Sequence, residues 1–239
     1  VKIRLDKFLG LSGLGSRKEV KDLIRQGRIK VNQVRVVQPE FKVDPEKDRV
    51  YFDDREIGYQ RFYYYKLYKP PQVLTSTKDK EKTVLDLLPS DLPGYRELFP
   101  AGRLDKDAEG LILLTNDGEL GHRITHPRWK VPKVYEVKIN KPLEERDKSQ
   151  IEQGVDLKEG RTQPAQIEFI SPQKTELRIV VTEGRYHLLK RIFGKLGYKV
   201  LRIKRLAIGP IQLGELNPGE WSPLTQEELS HLRRLLLLG

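Results

Sequence analysis

The chain has 239 residues, enough for one large or two modest domains with cores of their own. With 37% hydrophobic and 33% charged residues, no apolar run near the ~20 residues that span a bilayer and no cysteine, a membrane span, a disulfide framework and a thiolate zinc site are excluded. The expectation is a soluble protein of the cytoplasm whose net charge of +11 is gathered in two islands, ten basic against three acidic residues in 1–35 and eight against one in 183–205, the footprint of a polyanionic partner.

Ile3 to Leu11 reads as a short helix, with Ile3, Leu5, Phe8 and Leu9 inward and Arg4 and Lys7 outside. Ser16 opens a second helix, and Glu19 three residues on makes a capping box. Val20, Leu23 and Ile24 form its apolar stripe, Arg17, Lys18, Lys21, Arg25 and Arg28 its exposed side, and Gly27 ends it. Ile29–Asn32, which carries Lys30, and Val34–Val37 are short strands around a turn, and Asp48–Asp53 adds another. Helix, helix and basic β-turns is a small RNA-binding layout. RLDKFL and SRKEVKDLIRQGRIKVNQ closely resemble the S4 RNA-binding module. That resemblance implies RNA contacts at Arg4, Lys7, Arg17, Lys18, Lys21, Arg28 and Lys30.

The polar segment Asp54 to Arg61 reads as a link, with a module at 1–56, a linker at 57–61 and a second domain at 62–239. Phe62–Tyr68 is an aromatic strand, its rings chiefly core and cross-strand pairs. Lys69-Pro70-Pro71 fixes a rigid turn, and Thr83–Leu88 is a brief helix.

Gly102-Arg103-Leu104-Asp105-Lys106-Asp107-Ala108-Glu109-Gly110 then runs straight into Leu111-Ile112-Leu113-Leu114-Thr115-Asn116-Asp117-Gly118. The second half is a strand buried on both faces that ends in a tight turn. The first half sets three carboxylates and two basic residues against it. A charged, solvated approach to the strand is one reading, and a loop stapled to the core strand that holds its side chains in position is another. A calcium loop is excluded, because Asn116 stands where a bidentate Glu is needed.

Glu119–Ile124 is a short helix, and Lys133–Ile139 a strand by strict alternation, with Tyr135, Val137 and Ile139 inward and Glu136 and Lys138 outward. On pattern alone Tyr135 is an ordinary core tyrosine. Pro142–Gln153 looks helical, Gly154–Ile170 further sheet and Glu176–Thr182 a strand. From His187 a helix runs to Leu196, stopped by Gly197, with Leu188, Leu189, Ile192, Phe193 and Leu196 as its core stripe and Lys190 and Arg191 elsewhere. Val200–Ile208 is a basic strand, Gly209–Pro223 is turn-rich, and Thr225 with Glu228 caps a last helix.

GRLDKDAEGLILLTNDG resembles the central motif of the RsuA/RluB-type pseudouridine synthases, which isomerise uridines in ribosomal RNA. The segment from Lys69 to Ser76 resembles that family's first motif with Gln72 where a Gly is usual, and EGRYHLLKRIFGKLG its third, with Leu188 for a usual Gln. The resemblance implies that Asp105 is the catalytic residue, that Tyr135 lies against the target base and that Lys190 pairs with Asp105. It places Arg103 at the vacated space or a neighbouring phosphate, and adds Arg185 and Arg191 as RNA contacts. It implies an α+β protein: a small N-terminal S4-like helix-helix-β module and a catalytic domain with a mixed, largely antiparallel sheet and flanking helices. No metal or cofactor is expected, since the isomerisation involves no redox change or group donor. The expected partner is ribosomal RNA or a pre-ribosomal particle, and the expected state a monomer. A non-catalytic S4-type assembly factor is the alternative, opposed by the joint presence of Asp105, Tyr135 and Lys190. A glycosidase lacks a second motif with an inward acid.

Overall fold

The computed structural model describes all 239 residues, which form two compact units. The first comprises Val1–Tyr63 and Leu88–Leu98, the second Tyr64–Leu87 and Phe99–Gly239. No helix is long and apolar enough to cross a membrane.

In the first unit a two-residue strand β1 (Ile3–Arg4) precedes α1 (Leu5–Leu11), so the first helix starts two residues later than its apolar pattern suggests. In α2 (Arg17–Arg25) the capping box forms as expected: Glu19 N donates to Ser16 Oγ at 3.2 Å and Ser16 N to the Glu19 carboxylate at 2.6 Å. Then come β2 (Ile29–Val31), β3 (Val34–Arg35), β4 (Lys42–Val43), β5 (Val50–Phe52) and β6 (Arg55–Ile57). β4 pairs with β1, and the other four make a sheet in the order β3-β2-β5-β6. β6 corrects the reading of a free link from Asp54. Asp53 and Asp54 take φ of 46° and 65°, the left-handed turn geometry that Asp tolerates, and fold the chain back antiparallel onto β5. Leu5, Phe8, Leu9, Val20, Ile24, Ile29 and Val43 fill the core. The unit takes in the expected linker itself, where Tyr59 stacks on Phe8 with ring centroids 4.9 Å apart, and extends past it to Tyr63, whose hydroxyl donates to Leu11 O.

The second unit runs β7 (Tyr64–Lys69), β8 (Phe99–Pro100), β9 (Glu109–Thr115), α3 (Gly118–Thr125), β10 (Lys133–Ile139), α4 (Glu145–Gln153), β11 (Asp156–Leu157) and β12 (Gly160–Arg161). It continues through β13 (Gln166–Phe169), β14 (Glu176–Val181), α5 (Leu188–Lys195), β15 (Val200–Ile208), β16 (Ile211–Gln212), β17 (Trp221–Pro223) and α6 (Gln226–Leu235). Nine strands form one sheet in the order β13-β14-β10-β15-β9-β7-β17, with β16 beside β15 and β8 beside β9. Every pairing in it is antiparallel except β9 along β15. The fold is therefore α+β with a mixed, largely antiparallel sheet.

All of β9 is buried, as a run of large apolar residues with strands on both sides demands. Its end departs from the expected tight turn, because Asp117 caps α3 instead. The Asp117 carboxylate accepts from Leu120 N at 3.2 Å and from the Tyr64 hydroxyl at 2.6 Å. Leu111 and Leu113 pack with Leu120, Ile124, Ile208 and Leu232 into a core that fixes β9. Aromatics of β7 pack as expected; Tyr65 meets Trp221 of β17 edge-on at 5.7 Å. At the parallel junction β9 and β15 approach so closely that a Cβ on Gly110, φ 113°, would lie 2.3 Å from Arg205 O. Only glycine fits there.

Candidate active site

The second unit holds a cleft of about 700 Å³, a size that accepts a nucleoside. Its wall takes Arg103 and Asp105 from the loop before β9, Lys133 and Tyr135 from β10, His187 from the start of α5 and Arg205 from β15.

The loop that carries Asp105 is tied down through its own backbone. Lys69, 0% exposed, donates to the carbonyls of Pro70 at 3.0 Å, Lys106 at 3.1 Å and Ala108 at 2.6 Å. Burial pushes this ammonium down to about 8, while Asp107, Asp105 and Glu109 pull the other way. Gln72 N adds a bond to Lys106 O at 2.7 Å, and Thr75 Oγ1 both donates to Leu104 O at 3.0 Å and accepts from Leu104 N at 3.3 Å. Gln72 occupies φ 67°, so the position where the resembling motif carries Gly keeps a glycine-like backbone. The first motif is thus the mount for the central one.

Three carboxylates of the central motif have three different surroundings. The Asp105 side chain, 26% exposed, has His187 Nε2 at 3.2 Å and Lys190 Nζ at 3.7 Å. Asp107 takes the two short bonds from Lys190, 2.8 and 2.9 Å, and this hydrogen bond holds its carboxyl below the usual range. Glu109 is 8% exposed, not part of a solvated loop. It starts β9 and accepts from Tyr68 and from Arg202, Nη2 at 2.7 Å; the Arg202 bond holds its carboxyl below the usual range, while burial and then the bond to Glu109 raise the Tyr68 hydroxyl to about 12. Of the three, Asp105 alone lines the cleft.

Lys190 therefore lies within ion-pair reach of Asp105, but shared with Asp107. The nearer partner, His187, carries no ligand-like spacing in the sequence. Its signal is conformational: φ 48° for a non-glycine residue immediately before a helix, with the ring stacked on Tyr186 at 3.8 Å. Lys69, Lys133 and Arg205 are also invisible to pattern, since a basic residue in a strand reads as surface. Tyr135 is half-buried on the cleft wall, beside an irregularity in the β10–β15 ladder between Val134 and Tyr135. The extra residue is Leu206 on β15, so the slip bends β15 at Arg205 while β10 keeps its alternation against β14. Val137 and Ile139 are buried as expected.

The basic candidates divide by partner. In the first unit Arg4 pairs with Asp6, Lys7 with Glu97 at 3.3 Å, Arg28 with Asp53 and Lys30 with Asp54 at 2.6 Å. Arg17 and Lys18 are exposed on α2 with half-buried Lys21 beside them, and no ion pair holds any of the three. Arg185 donates to Gly160 O and Arg161 O and pairs with Glu183 at 2.6 Å, and Arg191 pairs with Glu159, so both bind their own chain.

Known proteins resemble this chain along nearly its whole length. A family model described as RNA pseudouridylate synthase matches residues 63–195, and an S4 domain model matches residues 3–50. An uncharacterized RNA pseudouridine synthase of Aquifex aeolicus is 43% identical, over 97% of this chain and 94% of its own. Ribosomal small subunit pseudouridine synthase A of Vibrio cholerae is 40% identical, over 96% and 99% of the two chains. Ribosomal large subunit pseudouridine synthase B of Bacillus subtilis is 32% identical, over 97% and 96%. A crystal structure of a pseudouridylate synthase aligns with a TM-score of 0.67 at 35% identity, covering 96% of this chain and 99% of that one. With its family model over more than half of the chain and such relatives over nearly its whole length, the protein belongs to the RNA pseudouridylate synthase family, as a member with an S4 domain at its N-terminus.

Proposed function

We propose that this enzyme isomerises a uridine of ribosomal RNA to pseudouridine, with Asp105 as the carboxylate that acts at C1′ or C6 of a flipped-out nucleotide. The observation that carries the reading is the sorting of the central motif, in which Asp105 faces the cleft beside His187 and Lys190 while Glu109 is committed to Arg202. The C1′–N1 bond must break, the base turn and C5 rejoin C1′ with loss of the C5 proton. One carboxylate can serve as nucleophile or stabilise an oxocarbenium-like charge. Lys190 and His187 lie beside it and fix its direction. Extrusion of the target from its stack brings the uracil against Tyr135, whose hydroxyl is proposed to relay the C5 proton, accepting it as its own proton passes to water. Arg103, exposed on the cleft wall, is the side chain proposed to fill the vacated stack or meet a phosphate.

Small-subunit RNA, free or in a pre-ribosomal particle, is the favoured substrate. Tyr186-His187 in the third motif supports this, as does the 40% identity of the relatives named as small-subunit enzymes against 32% for the one named as a large-subunit enzyme. The test uses unmodified small- and large-subunit transcripts tritiated at uridine C5. Tritium should be released from the small-subunit RNA and a single pseudouridine mapped there. Release from the large-subunit RNA alone would reverse the target, and release from neither would end the proposal.

RNA affinity is assigned to the unpaired basic face of α2. Replacing Arg17, Lys18 and Lys21 with Gln should lower the slope of log affinity against log salt by about 2, at ~0.7 for each phosphate no longer neutralised. An unchanged slope would make this face ordinary solvated surface.

A further inference from the structure

Two cations on the cleft wall have no part in the reading above. Lys133 and Tyr135, two apart on β10, share a face of the sheet, and Arg205 lies opposite Tyr135 on β15. All three line the cleft. Arg205 is 3% exposed; its Nε donates to Leu111 O at 2.8 Å, but its buried Nη2 has no hydrogen-bond partner. Lys133 is 9% exposed. The cleft's carboxylates are engaged elsewhere: Glu183 by Arg185 at 2.6 Å and by Gln163 N, Asp105 by His187 and Lys190. Burying two like charges side by side without a counter-ion is costly. Burial and Arg205 indeed push the Lys133 ammonium down to about 8, with Glu183 opposing. Such a pair has an unmet demand for a negative or strongly accepting group. A backbone phosphate stays at the rim with its chain, whereas an extruded base reaches groups this deep.

We propose that Lys133, backed by Arg205, binds a carbonyl oxygen of the target uracil and stabilises the negative charge the base acquires when its glycosidic bond breaks. The inference rests on the pseudouridine reading. When C1′–N1 breaks, its electron pair stays on N1 and spreads over O2 and O4, while the Asp105 carboxylate bonds to C1′ or stabilises it as a cation. C5 then bonds to C1′, the Asp105 oxygen leaves with its pair if it had bonded, C5 loses its proton and N1 gains one. Lys133 donates hydrogen bonds throughout and keeps its protons.

The tritium assay on the small-subunit transcript tests this. Lys133→Met should lower kcat by roughly 100-fold or more, the scale of removing one charge-stabilising donor, with KM and RNA affinity little changed. Lys133→Arg should recover much of that loss. In wild type kcat/KM, which reports the free enzyme, should fall as pH rises through about 8, where Lys133 loses its charge. The groups facing it are Arg205 from β15, Glu183 and Arg185 after β14, and Asp105, Arg103 and His187 across the cleft. Lys69 titrates in the same range and is intact in Lys133→Arg, so an alkaline limb unchanged there in midpoint and depth assigns the whole titration to Lys69 and overturns the proposal. Single turnovers on RNA with 5-fluorouridine at the target, read as cleavage of the C1′–N1 bond because this base has no C5 hydrogen to release, separate charge stabilisation from packing, since fluorine makes the base a better leaving anion. The Lys133→Met defect should shrink on that substrate; an equal defect on both means packing and overturns the proposal. If Lys133→Met does not fold by circular dichroism, Lys133→Gln and the arginine profile decide the matter by the same criteria. A wild type that releases no tritium fails the pseudouridine reading and this inference with it, whereas an active wild type with a fully active Lys133→Met fails the inference alone.

Discussion

Replacing Asp105 with Asn should lower pseudouridine formation by roughly 10⁴-fold or more, the scale on which enzymes lose turnover with their nucleophile, and leave RNA affinity nearly unchanged. The two losses separate because Asp105 and the unpaired basic face of α2 lie in different units. Asn is close to Asp in shape, and Lys190 keeps its 2.8 Å bond to Asp107, so the start of α5 should hold its place. Asp107→Asn is expected to be far milder, since that carboxylate is more than half exposed, does not line the cleft and is linked to Asp105 through the shared Lys190. Tritium release is the measurement, with filter binding as its control. Retained release in Asp105→Asn would remove Asp105 from the reaction.

Gly110→Ala should be the most damaging single methyl addition in the second unit. Its Cβ would meet Arg205 O at 2.3 Å and Arg205 N at 2.6 Å, backbone atoms that cannot rotate away, and φ 113° adds strain for any L side chain. Relief requires β9 and β15 to part where they alone run parallel. The expected cost is about 3 kcal/mol or more, the upper part of the range for point substitutions, seen as a fall in melting temperature of roughly 6 to 12 °C. Activity should fall with it, because Arg205 then loses its register opposite Tyr135. A melting temperature within about 2 °C of wild type would mean that the junction yields cheaply.

What the sequence made legible follows the range of the forces involved. The capping boxes at Ser16–Glu19 and Thr225–Glu228 are written within four residues and form as read. β9 and the buried stripe of α5 follow from apolar periodicity. Long-range partners were not legible. Nothing in DKDAEG tells Asp107, paired with Lys190 from α5, from Glu109, paired with Arg202 from β15. β6 carries a single large apolar residue, Ile57, and exists because β5 offers it an edge. His187 beside Asp105 depends on a left-handed backbone that no residue pattern announces.

The first unit is not one uninterrupted piece of chain. Leu88–Leu98 returns to it after β7 has already been laid down for the second unit. Pro93 lies against Gly13, where an added Cβ would be 3.0 Å from it, and Glu97 pairs with Lys7. During synthesis, which exposes the chain from the N-terminus onward, the first unit cannot close until residue 98 has emerged. By then the six residues of β7 have also emerged and wait for β9. A clean cut after residue 56 would also leave Leu88–Leu98 without its partners. The RNA-binding unit and the enzyme are therefore joined by three crossings of the chain, after Tyr63, Leu87 and Leu98, rather than by one tether. A transplanted N-terminal segment lacking residues 88–98 should be less stable than the same segment in its own chain.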